Sequence, residues 1–455
     1  MALIGSSCKR VIVGLGNTGL SCARYLSAQG LPFSVVDSRL SPPGLAALRD
    51  ELPDVMVHTG SLDEQLLAGA DELIVSPGIA VDTPAIAAAA GTGAKVIGDI
   101  ELFCRAVTNK PVIAITGSNG KSTVTTLVGD MAREAGICVA VGGNIGIPAL
   151  ELLKQRADLY ILELSSFQLE TTDSLRAVAA TILNMSPDHM DRYSSMAAYH
   201  AAKQKIYRGC QAAIVNRDDS LSMPLLPSNT PCTFFTARSP DLQQYGLQRD
   251  DQGTWLCKGP QRLLNATELR VFGRHNHLNA LAALALGEAA GINEAAMLRA
   301  LRCFRGLRHR CQWVAEGGGV QWFNDSKATN VGASVAAIEG LGKALSGQLV
   351  LIAGGDGKGA DFSELLAPAK RYVRHVVLLG RDSPRIKAVI EGQVPYSCAS
   401  SLAEAVTLAA NNSVSGDAVL LAPACASFDM FNSFEHRGDQ FIQCVQQLLQ
   451  EPHQC

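Results

Sequence analysis

Val112-Ile113-Ala114-Ile115-Thr116-Gly117-Ser118-Asn119-Gly120-Lys121-Ser122 decides how the rest of the chain is read. The apolar run ahead of Gly117 has no polar side, which predicts a strand covered on both faces, as in a parallel sheet. A glycine turn and a Lys-Ser pair then open a helical stretch. The segment departs from the strict phosphate-loop pattern, because Ile115 stands where the first glycine belongs. Its physics is intact: successive backbone N–H groups make a concave anion site, Lys121 adds a point charge, and the Ser122 hydroxyl can ligate Mg²⁺.

Outward from this loop, short β-branched runs alternate with alanine- and leucine-rich helical stretches, the pattern of βαβ units. Strands are predicted at 11–14, 33–37, 73–75 and 96–97, then at 112–116, 159–163, 180–184 and 213–216. A third set falls at 321–324, 349–353, 376–379 and 419–421. This predicts an α/β chain of three domains, each built on a mainly parallel sheet, with boundaries near Gly98 and Gly306: 1–98, 99–306 and 307–455. Residues 220–270, richer in Pro, Gln, Ser and Thr, read as a β-excursion or long loops.

Composition narrows the class. The 455 residues are 47% hydrophobic and 18% charged, with a net charge of -3, so neither a disordered chain nor a nucleic-acid binder fits. The basic stretch from Arg302 to Arg310 reads as a hinge with one arginine turned to a ligand, or as a nucleic-acid patch. No apolar run reaches the roughly 18 residues of a membrane span. The 13 cysteines never form Cys-x-x-Cys, which removes a zinc ribbon and a disulfide framework. A cytoplasmic monomer is expected.

A second glycine turn, Gly14-Leu15-Gly16-Asn17-Thr18-Gly19, follows Val11-Ile12-Val13 and precedes a helix, which suits a pyrophosphate. Asp37 ends the next strand, where a dinucleotide fold sets a carboxylate on a ribose hydroxyl. Arg39, two residues on, and Ser76-Pro77-Gly78-Ile79 leave nucleotides other than NAD open. Glu163 closes a buried strand, a usual place for a metal-holding acid. His189, in Asp188-His189-Met190-Asp191, is a candidate ligand or base. Lys203 alone reads as a solvated lysine.

The strings GSNGKSTVTTLVG (117–129), GGNIG (142–146), LELSSFQLE (162–170), DHMDRY (188–193), NDSKATN (324–330), GGDGKGADF (354–362) and ACASFDMF (424–431) together closely resemble the Mur ligase family. That resemblance implies a Rossmann-like N-terminal domain, a P-loop-like ATPase centre and a dinucleotide-fold C-terminal domain. It implies an ATP-dependent ligase that adds D-glutamate to UDP-N-acetylmuramoyl-L-alanine (UDP-MurNAc-L-Ala) in peptidoglycan precursor synthesis, with Mg²⁺. By the same resemblance, Asn17, Thr18, Asp37, Arg39, Gly78 and Asn144 hold the nucleotide sugar. ATP falls to Gly117, Ser118, Asn119, Gly120, Lys121, Ser122 and Thr123, with Asn279, Arg310 and Asp325. D-Glutamate falls to Thr329, Lys358, Ser427 and Phe434. Lys121, His189, Lys203 and Lys327 are the implied catalytic groups. Ser122, Glu163, His189 and Lys203, the last as a carbamate, are the implied metal ligands.

Overall fold

A computed structural model describes residues 8–62, 64–107, 109–186, 188, 192–225, 230–271 and 273–450. Its contacts gather into two compact units: residues 1–266 with 278–301, and residues 267–277 with 302–455. Among the described residues the first unit holds two sheets and the second unit one.

The first sheet is parallel, in the order β3-β2-β1-β4-β5, from β1 (Arg10–Val13), β2 (Phe33–Asp37), β3 (Val57–Thr59), β4 (Glu72–Val75) and β5 (Lys95–Ile97). Strand order reverses beside β1, so the glycine turn at its carboxyl end opens at a topological switch point.

The second sheet contains β6 (Val112–Thr116), β7 (Val139–Gly143), β8 (Leu159–Glu163), β9 (Ala179–Ile182) and β10 (Ala213–Asn216). It continues through β11 (Cys232–Phe235), β12 (Tyr245–Asp250), β13 (Gly253–Lys258) and β14 (Gln261–Asn265). The order is β14-β13-β12-β11-β10-β9-β6-β8-β7; β12 to β14 form an antiparallel meander, and the other pairings are parallel. The polar stretch 220–270 is therefore a sheet extension. β6 is buried along its whole length between β8 and β9, as its unbroken apolar run requires.

One hydrophobic core serves both of these sheets. Ile12 and Val35 from the first belong to the same cluster as Ala114 and Leu162 from the second, and as Phe103. The helix Asp99–Ala106 joins them: buried Glu101 accepts from the backbone N–H groups of Asp173 and Ser174 at 2.9 and 2.8 Å, and from Arg105 at 3.0 Å.

In the second unit, β15 (Gln312–Gly317), β16 (Val320–Asn324), β17 (Leu349–Ala353), β18 (Val373–Leu378), β19 (Tyr396–Cys398) and β20 (Ala418–Leu421) take the order β15-β16-β20-β17-β18-β19. Only the β15–β16 pair is antiparallel. Three arginines of the basic stretch meet protein partners. Arg302 donates to Glu268 at 2.7 Å, Arg305 lies over the Trp313 ring, and Arg308 donates to Asp439 at 2.5 Å.

Candidate active site

The first glycine turn is shaped by close approach. Gly14 has φ +96°, and a Cβ on Gly19 would lie 1.9 Å from the Gly14 carbonyl oxygen, so only glycine lets the helix Asn17–Ala28 start here. Exposed Asn17 and half-buried Thr18 occupy its first turn. Asp37 departs from the ribose-binding expectation. One carboxylate oxygen accepts from the Leu15 N–H and the Arg39 Nη2, both at 2.7 Å; the other accepts from the Arg39 N–H and Nε at 2.8 and 2.9 Å. Burial pushes its pKa up, but these four bonds outweigh that and bring it down to about 2. With its acceptor capacity spent and 1% of its surface exposed, Asp37 fixes the exposed Arg39, which is left to meet a ligand.

In the phosphate loop, Gly117 and Gly120 carry φ of +152° and +83°, and the helix Lys121–Glu134 begins on Gly120 with Ser122 and Thr123 in its first turn. Asn184 pins the loop reciprocally: the Asn119 N–H donates to its Oδ1 at 2.8 Å, and its Nδ2 donates to the Asn119 carbonyl at 3.0 Å. Buried Asn279 closes the far side, its Oδ1 standing 2.5 Å from where a Gly120 Cβ would be. Lys121 donates to the carbonyls of Gly117 and Ser118 at 2.9 and 3.0 Å.

Lys203 overturns its solvated reading. Only 2% exposed, it donates to the Thr116 hydroxyl and the Gly117 carbonyl, each at 3.0 Å. Two ammonium groups thus converge on one carbonyl oxygen. Burial first, and the Lys121 charge second, bring the Lys203 pKa down to about 7. Glu163 ends β8, 2% exposed; its Oε1 accepts from Asn144 Nδ2 at 2.8 Å, while its buried Oε2 has no hydrogen-bond partner among the described residues. A buried carboxylate oxygen left unpaired is costly unless a cation takes it, so Glu163 fits Mg²⁺. His189 lies outside the described residues. Gly78 sits in the exposed turn after β4.

In the second unit, Asp325, Lys327, Thr329, Lys358 and Ser427 sit on loops at the carboxyl ends of β16, β17 and β20, as the strand order leads one to expect, while Arg310 precedes β15 and Phe434 opens the helix Phe434–Gln450. Asp325 follows β16; burial raises its pKa to about 6 against the Cys311 N–H and the Arg310 charge. Lys327 is exposed, its Nζ 4.9 Å from the Phe434 ring centre, and the Thr329 N–H donates to the Lys327 carbonyl at 2.7 Å. The loops of Lys358 and Ser427 clasp each other through paired backbone bonds between Asp356 and Ala426. Ser427 is buried, and Phe428 beside it is 70% exposed.

Sequence reasoning passed over the brace that holds these loops. Arg437 is 2% exposed and donates to the Ser326 hydroxyl and carbonyl and to the Cys425 carbonyl at 3.0, 2.9 and 3.1 Å. Ser326 in turn donates to the Phe434 carbonyl at 2.8 Å. One guanidinium therefore sets the Lys327, Ser427 and Phe434 segments against each other.

Comparison with known proteins covers each part of the chain. Residues 8–98 match the Mur ligase MurD-like N-terminal domain, 115–287 the Mur ligase middle domain, and 309–425 the Mur ligase glutamate ligase domain. The UDP-N-acetylmuramoylalanine–D-glutamate ligases of Pseudomonas aeruginosa and Marinobacter nauticus are 54% and 56% identical over 98% of this chain and 100% of theirs. Among solved structures, the UDP-N-acetylmuramate–alanine ligase of Thermotoga maritima is similar in fold, with a TM-score of 0.56 at 19% identity over 97% of this chain and 99% of its own. Matched in all three modules and from end to end, the chain belongs to the Mur ligase family.

Proposed function

We propose that the chain is an ADP-forming amide ligase that joins D-glutamate to the L-alanine carboxyl group of UDP-MurNAc-L-Ala. A carboxylate resists amines because its charge repels them and its oxygen leaves poorly. Transfer of the ATP γ-phosphoryl group to that oxygen gives an acyl phosphate and ADP. The D-glutamate amine then attacks the carbonyl carbon, and the tetrahedral adduct expels phosphate.

The phosphate loop carries this reading, with Lys121 and Lys203 gathered at Gly117. In it, Gly117, Ser118, Asn119, Gly120, Lys121, Ser122 and Thr123 hold the triphosphate, together with Asn279, Arg310 and Asp325; the Ser118 and Asn119 N–H groups are spent on Asn184 and shape the loop. Lys121 and Lys327 neutralise charge growing on the transferred group. When bound, Mg²⁺ would be held by Ser122, Glu163, His189 and the carbamate of Lys203, and would offset phosphoryl charge. His189 is the proposed base for the incoming ammonium. Arg39, set by Asp37, grips the nucleotide sugar with Asn17, Thr18, Gly78 and Asn144. Lys358, Ser427 and the backbone near Phe434 receive the two glutamate carboxylates, with Thr329 beside them. The three domains, 1–98, 99–306 and 307–455, would take UDP, ATP and amino acid respectively, in a cytoplasmic monomer.

Phosphate release from ATP tests the proposal. Release should require both UDP-MurNAc-L-Ala and D-glutamate, L-glutamate should not substitute, and ¹⁸O should pass from the alanyl carboxylate into phosphate. Turnover indifferent to the nucleotide sugar would defeat it.

A further inference from the structure

Arg192 touches neither glycine turn, yet lies between them. It follows the Asp188–Asp191 motif, and its Nη2 donates to the Ile79 carbonyl at 2.9 Å, 113 residues away in sequence. Ile79 closes the turn after β4, its N–H donating to the Ser76 carbonyl at 2.9 Å, and Ser76 Oγ donates to the Gly14 carbonyl at 2.9 Å. On its other side the Arg192 guanidinium lies 4.7 Å above the Phe167 ring, with Glu170 at 3.8 Å. Phe167 stacks on Tyr193 at 5.8 Å with 13° between the planes, and Tyr193 meets Tyr199 at 5.2 Å. The Tyr199 hydroxyl is 3.2 Å from Ser118 Oγ in the phosphate loop.

We propose that Arg192 is a positioning residue that couples the two nucleotide sites, so that filling the glycine turn at Gly14 strengthens binding at the phosphate loop, and the reverse. This rests on the ligase reading above. Cation, ring and hydroxyl form one packed chain between the sites, and Arg192 is the link that joins its two halves: the Ile79 carbonyl in the turn after β4 and a ring from the helix Ser166–Glu170. That helix is fixed by a capping box at Ser165 and Gln168 and by Gln168 donating to Asp99 at 3.1 Å, so a shift at Ile79 passes to the rings instead of dissipating. Coupling is reciprocal, so either ligand reports it.

The test measures the affinity for UDP-MurNAc-L-Ala by calorimetry, with and without a non-hydrolysable ATP analogue and Mg²⁺, in the full chain. In the wild type the analogue should tighten binding about fivefold or more. Arg192→Met should bring that factor below about twofold while its affinity for the analogue alone stays at the wild-type value. A purely structural arginine would lower both affinities and leave their ratio intact. Phe167→Leu breaks the same chain one link on and should behave alike, which keeps the test decisive if Arg192→Met folds poorly. Unchanged coupling in these variants, or no coupling in a wild type that binds both ligands and turns over, overturns the proposal. A wild type that binds no nucleotide sugar overturns the ligase reading, and the proposal with it.

Discussion

Carbamate formation on Lys203 is the prediction most directly set by the structure. An amine attacks CO₂ only through its neutral nitrogen, so a proton and CO₂ compete for the same lone pair. With a pKa of about 7, set by burial and by the neighbouring Lys121 ammonium, about nine-tenths of Lys203 is neutral near pH 8. For an ordinary lysine near 10.4 the neutral share there is well under 1%, so the share of Lys203 able to take up CO₂ is a few hundred times that of a surface lysine. The sign follows: lowering the pH through about 7 protonates the amine, and near pH 6 only about a tenth stays neutral. Enzyme stripped of CO₂ and supplied with ¹³C-bicarbonate should show one carbamate carbonyl resonance with its pH midpoint near 7. Turnover should recover with the resonance, and both should be absent in Lys203→Ala. A midpoint near 10, or full turnover with no carbamate signal, would refute the argument that burial beside Lys121 prepares this nitrogen.

Three further outcomes are expected. Lys121→Ala should cut kcat by about 10²–10³-fold in the phosphate-release assay while leaving the melting temperature within a few degrees, because the charge it removes is the one proposed to act on the phosphoryl group. Gly19→Ala drives a methyl into the Gly14 carbonyl and should cost on the order of 3 kcal/mol, read by calorimetric unfolding, with loss of nucleotide-sugar binding. Lys358 sits at φ +49°, so Lys358→Gly should relieve about 1 kcal/mol of backbone strain while raising the KM for D-glutamate tenfold or more, separating strain from function in one variant.

Lys358 is not alone in that strain. Four of the five non-glycine residues with positive φ among the described residues, His309, Cys311, Lys358 and Ala424, lie in the second unit, on the loops that carry or flank the proposed amino-acid site. Such backbone persists where the surroundings over-determine it: Arg437 and the Asp356–Ala426 clasp constrain the Ala424 and Lys358 loops, Gln312 and Asn324 hold His309, and Asp325 holds Cys311.

How much of this was legible in the sequence depended on which faces of each element are covered. β6, β8 and β17 lie where their unbroken apolar runs predict, because a strand buried on both sides has no polar face to disguise it. The strands passed over are short or flanking: half-buried Val57–Thr59, Val139–Gly143 with its two glycines, antiparallel Gln312–Gly317, and Tyr396–Cys398. Phosphate-binding turns announce themselves in consecutive residues, whereas Asn184, which pins the phosphate loop, lies 65 residues from its partner. Lys203, read from its residue type alone as solvated, and Arg437, passed over, went unread for a different reason. Lys203 stands four residues after buried Tyr199, and Arg437 four before buried Phe441 and eight before buried Val445. On a helix that spacing puts each cation in the apolar stripe, against the core. Charge alone suggested solvent for Lys203, but the helical period sets both cations inside, where an unpaired cation is expensive. A lysine or arginine in phase with buried aromatic residues is therefore a stronger signal of a site than its residue type, and here it marks the proposed metal centre and the proposed amino-acid cradle.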